Sequence, residues 1–224
     1  MKKIRNLFNI IGVFEGKFIN SAIPDDVTAY ADQPDEIKSS VHMVYLQGLS
    51  NDEENRLNLI ESKSSQLVGQ TGVIFSLLSL FVPILIDKIS DFPLYIKLLL
   101  LLLLLLSLSF YILTIKNALK NYNLKRYNYS NPAPANVQTF HQKTIAEFNS
   151  EVIRDLLYSL HRNKEINNRK ATSLIQSYIS FRVANILTAI LVILLCSILL
   201  LGKQNTKELE NCKNNIIMSI SSHY

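Results

Sequence analysis

Arg154 and His161 are the residues of this chain whose types and spacing come nearest to a catalytic pair. An arginine and a histidine a few positions apart occur in one class of ribonucleases, where the histidine can transfer protons. Seven residues of a helix turn by about 700°, so the two side chains share a face. That face also carries Lys143, Glu147 and Glu151, which is typical of a solvated charged surface. We interpret the pair as surface residues and keep RNA cleavage as an alternative.

Other catalytic and ligand-binding motifs are absent from the sequence. It contains no nucleotide-binding loop, no Gly-x-Ser-x-Gly, no His-Glu-x-x-His and no paired cysteines. Cys196 and Cys212 provide neither a disulfide framework nor a metal-binding spacing. We therefore predict that the chain is not an enzyme and that it has no catalytic residue, metal site or cofactor.

Three apolar stretches are long enough to cross a membrane, which takes roughly 20 helical residues for about 30 Å of hydrocarbon. They cover approximately residues 67–86, 94–115 and 183–202, and the second contains nine consecutive leucines. A chain of 224 residues has no room for a core that would bury such runs in water. The sequence predicts an all-α integral membrane protein with three transmembrane helices.

Basic residues near the ends of the spans predict the orientation, since they favour the cytoplasmic side. Residues 116–126 and 162–170 each carry four lysines or arginines. The N-terminus and the central loop are therefore expected inside a bacterial inner membrane, and the 87–93 hairpin and the C-terminus outside. Lys203, Lys207 and Lys213 argue mildly against this orientation. We read the net charge of +5 as part of this signal and expect no nucleic-acid partner.

Helix start and stop residues predict long cytosolic extensions of spans one and three. A helix at 34–47 ends at Gly48, and Ser50 and Glu53 have the spacing of a capping box for the next helix. The basic and apolar segment 1–18 is expected either to lie on the membrane surface or to pack on the cytosolic part. The predicted regions are an N-terminal region (1–50), a cytosolic helix with the transmembrane hairpin (51–121), a linker (122–138), a second cytosolic helix with the third span (139–202) and a tail (203–224).

Small residues recur along span one at intervals of three and four. The stripe comprises Ser62, Ser65, Gly69, Gly72, Ser76, Ser79 and Pro83, and Ser65 to Ser79 form its predicted contact region. Small residues let helix backbones approach closely in lipid, where apolar burial does not drive association. The stripe therefore predicts a helix contact, either with span three of the same chain or with another copy. The leucine-rich second span, by contrast, is expected to face lipid.

Two further features mark the cytosolic part. Lys63 and Lys170 begin similar short segments where spans one and three enter the bilayer, and such lysines are expected to extend towards the interface. One helix face carries an apolar stripe that is either a docking face for a soluble partner or a packing face within the chain. Its residues are Ile145, Phe148, Val152, Leu156 and Leu160.

From Arg56 to Leu201 the sequence resembles the small transmembrane effectors of bacterial anti-phage systems, the Pycsar and SLATT-type proteins. The resemblance lies in the order of helices and in Lys63 and Lys170 with their neighbours. It implies an inner-membrane homo-oligomer that permeabilises or depolarises the bilayer on an upstream signal, with a partner protein from the same operon as one source of that signal. The alternative is a non-toxic scaffold or regulatory subunit that recruits a soluble partner.

Overall fold

A computed structural model describes residues 29–31, 35–88, 93–123, 129–132 and 134–221. Its regular elements are all helical: α1 (Glu36–Lys88), α2 (Leu94–Leu119), α3 (Ala135–Gln138) and α4 (Ile145–Ser221), with single 3-10 turns at Lys120–Tyr122 and Phe140–Gln142. Within this part of the chain the predicted all-α class is confirmed. The N-terminal segment 1–18 lies outside the described residues, so both expectations for it stay predictions.

α1 begins where the sequence places a helix start. The Asp35 side chain accepts hydrogen bonds from the backbone N–H groups of Ile37 (3.0 Å) and Lys38 (3.3 Å). An aspartate in this position satisfies donors that have no partner inside the helix, and its charge favours the helix N-terminus. α1 therefore starts two residues after the predicted beginning of the 34–47 helix.

The predicted helix end at Gly48 is wrong, because α1 continues through it as one helix of 53 residues. A glycine inside a helix costs only about 1 kcal/mol relative to alanine. Leu46 and Leu49, on either side of Gly48, pack against α4, and this burial offsets that cost. Glu53, the predicted partner in a capping box with Ser50, is an interior helix residue that hydrogen-bonds Asn167 of α4.

α4 begins with a capping box that sequence inspection missed. The Glu147 carboxylate accepts from the Thr144 backbone N–H (2.8 Å), and the Thr144 hydroxyl accepts from the Glu147 N–H (3.3 Å). The hydrogen bond from the Thr144 backbone lowers the pKa of Glu147. From this start α4 runs for 77 residues through the predicted third span and most of the predicted tail.

In the part of the chain that the structure describes, two helices are long and apolar enough to cross a membrane, over Leu94–Tyr122 and within Ile145–Ile198. Only 28% and 22% of the residues in their apolar windows are buried, which is unlike the core helix of a soluble protein. The predicted span at 94–115 falls within the first of these helices, and most of the predicted span at 183–202 falls within the second. The predicted span at 67–86 belongs to α1 and stays a prediction, and the cytosolic extensions of spans one and three stay predictions as well.

The chain folds as two compact units, each with its own apolar clusters. The first contains α1 up to Thr71 together with Leu113–Ile179, and Leu46, Ile153 and Leu156 form a core cluster in it. The second contains Gly72–Ile112 and the chain from Ser180 onwards. Its clusters join Leu100 and Leu104 of α2 to Leu191 and Leu195 of α4, and Leu78 of α1 to Tyr111 and Ala184.

The expectation that the leucine-rich span faces only lipid is wrong. One of its faces packs on α4 through leucine side chains, while Leu101, Leu102 and Leu105 on other faces are more than half exposed. Helices can pack through interdigitated long aliphatic side chains as well as through small residues that let their backbones approach. The scarcity of small residues in this span therefore did not exclude packing.

Candidate functional site

The small-residue stripe of α1 lies on a surface that no other part of the described chain covers. Ser65 and Gly69 in the first unit, and Gly72, Ser76 and Ser79 in the second, are all exposed. A Cβ atom placed on Gly69 or Gly72 would meet no atom within 4 Å. The Ser76 hydroxyl donates to the Gly72 carbonyl at 3.0 Å and the Ser79 hydroxyl to the Phe75 carbonyl at 3.0 Å. Within the second unit, Gly72, Ser76 and Ser79 therefore do not pack on the predicted third span of the same chain.

The same spacing continues towards the N-terminus of α1, where sequence inspection missed it. Ile37, Val41 and Val44 are 76%, 61% and 64% exposed. All the positions in this register are uncharged and exposed, and in chain order they are Ile37, Val41, Val44, Gly48, Asn51, Asn55, Asn58, Ser62, Ser65, Gly69, Gly72, Ser76, Ser79 and Pro83. Intervals of three and four over so many turns are the heptad pattern of a coiled-coil seam. We call this set the heptad stripe.

The opposite face of α1 packs inside the first unit. Ile60, Ser64, Leu67 and Thr71 are buried, again at intervals of three and four. The buried Asn121 side chain, which follows α2, donates to the Ser64 hydroxyl at 2.7 Å. The inner face of α1 is therefore already occupied within the chain, which leaves the heptad stripe as its outer face.

The Lys170 side chain is buried against α1, and the role of Lys63 and Lys170 at membrane entry stays a prediction. The Lys170 side chain is 7% exposed, and its ammonium group donates to the Glu61 carboxylate of α1 at 2.6 Å. A buried lysine is stable as a cation only with such a partner. The Tyr122 hydroxyl donates to the Glu61 backbone carbonyl at 2.6 Å and so holds the end of α2 to the same turn of α1. Lys63 is exposed, so the two lysines have different environments.

A polar cluster joins α2 to α4 in the second unit. The Tyr111 hydroxyl donates to the Asn185 side-chain oxygen at 2.8 Å, and the Ser107 and Thr188 hydroxyls lie 2.6 Å apart. Tyr111 and Ser107 are fully buried. Hydrogen bonds between transmembrane helices stabilise a specific pairing, because hydrocarbon offers no alternative partner.

The apolar stripe of α4 is mostly a packing face of the first unit. Leu156 is buried in a cluster with Leu46, and Val152 and Leu160 pack against that cluster. Phe148 makes an edge contact with Phe140, with ring centroids 4.6 Å apart. Ile145 is 46% exposed, so the start of α4 is the part of this stripe that is open to a partner.

Arg154 and His161 are both partly buried. Among the residues that the structure describes, no group of three histidine, cysteine, aspartate or glutamate side chains could hold a metal ion. The absence of catalytic activity stays a prediction.

A family model described as the Pycsar effector protein domain matches residues 47–198, well over half of the chain. The match covers most of α1, all of α2 and α4 as far as residue 198, which includes most of the predicted third span. No curated protein and no solved structure showed significant similarity.

Proposed function

The chain belongs to the Pycsar effector family, whose domain marks a transmembrane effector of anti-phage defence. From this premise we propose that the chain assembles in the bacterial inner membrane and depolarises it. The proposed topology has spans at 67–86, 94–115 and 183–202, with the N-terminus inside and the C-terminus outside. Copies of the chain associate through α1 once an upstream signal is received.

The observation that carries this proposal is the exposed, uncharged heptad stripe. α1 carries charges at other positions, for example Lys38, Glu54 and Lys63, but none in the stripe. Exposed helix surfaces in water normally carry charged residues. In lipid, serine and glycine gain little from contact with acyl chains, whereas they allow two backbones to pack closely. A second α1 helix packed on the stripe would cover its uncharged surface in water and make close backbone contacts in lipid.

The residues of the heptad stripe fit a parallel pairing of copies. Ile37, Val41 and Val44 supply apolar contacts in the first unit, as the first and fourth positions of heptads do. Asn51, Asn55 and Asn58 follow, and asparagines in such seams fix register and the number of helices at a cost in stability. The copies then share one direction, as chains inserted in the same orientation must.

Depolarisation requires several copies, because three spans in a single chain do not enclose an aqueous path. Serine hydroxyls of the stripe give α1 a wettable face, and rings of such helices can line a conduit between copies. A trigger supplied by a cytosolic protein, encoded next to this chain, fits the absence of any recognisable nucleotide-binding motif in the sequence.

A membrane-potential dye in bacteria that express the chain tests this function. We expect loss of potential during phage infection or on strong expression, and retained potential when the stripe carries Gly72→Leu. Full polarisation and normal growth of the wild-type strain under both conditions would contradict the proposal.

The second function is a scaffold that recruits a soluble partner without damaging the membrane. It is favoured by one observation, the exposed apolar group Val137, Phe140 and Ile145 beside the start of α4, which are 65%, 41% and 46% exposed. Affinity purification in mild detergent with Phe140→Asp and Ile145→Asp as controls distinguishes it. A soluble protein that is lost with these variants supports the scaffold, and recovery of the chain alone opposes it.

A further inference from the structure

The two residues Tyr129 and Ser130, in the connection between α2 and α4, are held to α4 by side chains. The Ser130 backbone N–H donates to the Asn163 side-chain oxygen at 3.0 Å, and the Asn163 amide donates to the Ser130 carbonyl at 2.9 Å. One asparagine thus pairs with both backbone groups of one residue, as a neighbouring β-strand would. Asn163 is 6% exposed, so these bonds are shielded from water.

The adjacent contact connects this segment to α1. The Tyr129 hydroxyl donates to the Asn167 side-chain oxygen at 2.5 Å. The Asn167 amide in turn donates to the backbone carbonyl of Glu53 at 2.8 Å and to its carboxylate at 2.7 Å. Asn167 is fully buried, and its amide group therefore joins three segments of the first unit. Burial raises the pKa of Tyr129 to about 12, so the hydroxyl stays protonated and able to donate at neutral pH.

We propose that Tyr129 and Ser130 form a strap that, when closed, fixes the rotation of α1 around Glu53 and so presents the neighbouring part of the heptad stripe, Asn51, Asn55 and Asn58, to a second copy. Glu53, to which the strap connects through Asn167, lies near the opposite side of α1 from Asn51 and Asn55 of the stripe. Holding α1 at Glu53 therefore directs the stripe outwards. This inference rests on the proposed self-assembly and adds a way in which it is regulated. A partner that closes the strap promotes assembly, and a partner that displaces the strap opposes assembly.

The chemistry of the strap suits reversible closure. Its contacts are hydrogen bonds to amide and hydroxyl groups, which water replaces at a small net difference in free energy. The hydrogen bonds that connect Tyr129, Asn167 and Glu53 also depend on one another, because buried hydrogen bonds in series polarise and orient their neighbours. Opening at Tyr129 therefore loosens α1 locally around Glu53, while the contacts on either side, at Leu46 and Ile60, stay packed.

Tyr129→Phe in the full chain, reconstituted in lipid nanodiscs, tests the strap. The variant keeps the ring and removes the hydroxyl, and Tyr158→Phe, at a 40% exposed tyrosine of α4, is the matched control. Hydrogen exchange followed by mass spectrometry is measured for peptides that contain Ser130 and for peptides of α1 around Glu53. We expect exchange in both regions to rise about fivefold, the factor for loss of one neutral hydrogen bond, and the control to match wild type. Unchanged exchange around Glu53 would overturn the connection between the strap and α1.

Self-association of the same variants tests the consequence. We expect the apparent association constant to fall about fivefold, and Asn163→Ala to act in the same direction. If wild type associates and Tyr129→Phe associates equally well, the strap does not control assembly, although the proposed function stands. If wild type itself does not associate, the proposed function fails together with the control of assembly, and the exchange experiment shows separately whether Tyr129 holds α1.

Discussion

Replacement of Gly72 by leucine separates packing between chains from packing within a chain. In the structure the Gly72 position is exposed, and a Cβ atom there would meet nothing within 4 Å. A leucine therefore fits the isolated chain without strain, and it favours the helix by about 0.5–1 kcal/mol relative to glycine. We expect the variant to insert and to unfold at the same temperature as wild type or slightly above it.

Its effect on association is expected to be opposite in sign. Where two backbones approach closely, an added leucine side chain forces them apart and typically costs about 1–3 kcal/mol. At about 1.4 kcal/mol for each factor of ten, this corresponds to self-association weakened by roughly 5- to 150-fold. The assay is sedimentation or single-molecule photobleaching in nanodiscs over a range of protein-to-lipid ratios, combined with thermal unfolding.

Gln70→Leu is the matched control, because it introduces the same side chain at an exposed position off the heptad stripe. Leu77→Ala, also exposed and off the stripe, controls for a general loss of apolar surface. Both controls should associate as wild type does. The reasoning is refuted if Gly72→Leu associates normally, or if it lowers thermal stability as a clash inside the chain would.

Three further predictions concern the contacts between helices. Glu61→Gln removes the negative charge that the buried Lys170 ammonium contacts. We expect the free energy of unfolding to fall by about 1–3 kcal/mol, a moderate loss because the Glu61 side chain is itself partly solvated. An unchanged midpoint of thermal unfolding would show that the ion pair contributes nothing. Tyr111→Phe removes the hydrogen bond to Asn185, and the free energy of unfolding in detergent should fall by about 0.6–2 kcal/mol. No change would mean that this bond is not formed in the membrane. Burial raises the pKa of Tyr129 from 10.0 to about 12, so the stability that its neutral hydroxyl contributes is complete below pH 10 and is lost as the pH rises towards 12. Ultraviolet difference titration of wild type against Tyr129→Phe should locate the ionisation of Tyr129 near pH 12. An ionisation near pH 10 would contradict burial of the hydroxyl.

Periodicity and helix signals in the sequence predicted the elements of the fold well. The apolar runs located α2 and the membrane part of α4, because a span needs a continuous stretch that no soluble segment of this chain matches. Asp35 marked the start of α1. The end predicted at Gly48 failed because local propensity gave way to the packing of Leu46 and Leu49 on α4, and such contacts between distant segments are not visible in a local pattern.

The contacts of individual polar residues were beyond sequence reasoning. Lys170 and Glu61 lie 109 positions apart, and only the side-by-side packing of α1 and α4 brings them together. The same holds for Asn167 and Glu53, and for Tyr111 and Asn185. A lysine before an apolar run normally indicates an interface, and nothing in its neighbours in the sequence reveals a carboxylate partner on another helix.

The heptad stripe was only half recognised from the sequence. Its serines and glycines stood out as small residues, whereas Ile37 and Val41 belong to other classes and were assigned to a separate helix. Continuing the intervals of three and four backwards from Ser62 would have revealed the whole register. What no sequence pattern supplied is that the stripe is the exposed face of α1, since an apolar or small-residue stripe predicts packing without naming the partner.

Cysteine cross-linking in native membranes tests assembly through α1 most directly. Cys196 and Cys212 are first replaced by serine, and single cysteines are then placed at Ser65, on the heptad stripe, or at Lys63, exposed and off it. Disulfides form only where Cα atoms come within about 7 Å, so the yield of covalent dimer reports the contact face. The account predicts strong dimer formation for Ser65→Cys after mild oxidation and little for Lys63→Cys. Equal yields at both positions, or a higher yield at Lys63→Cys, would contradict it.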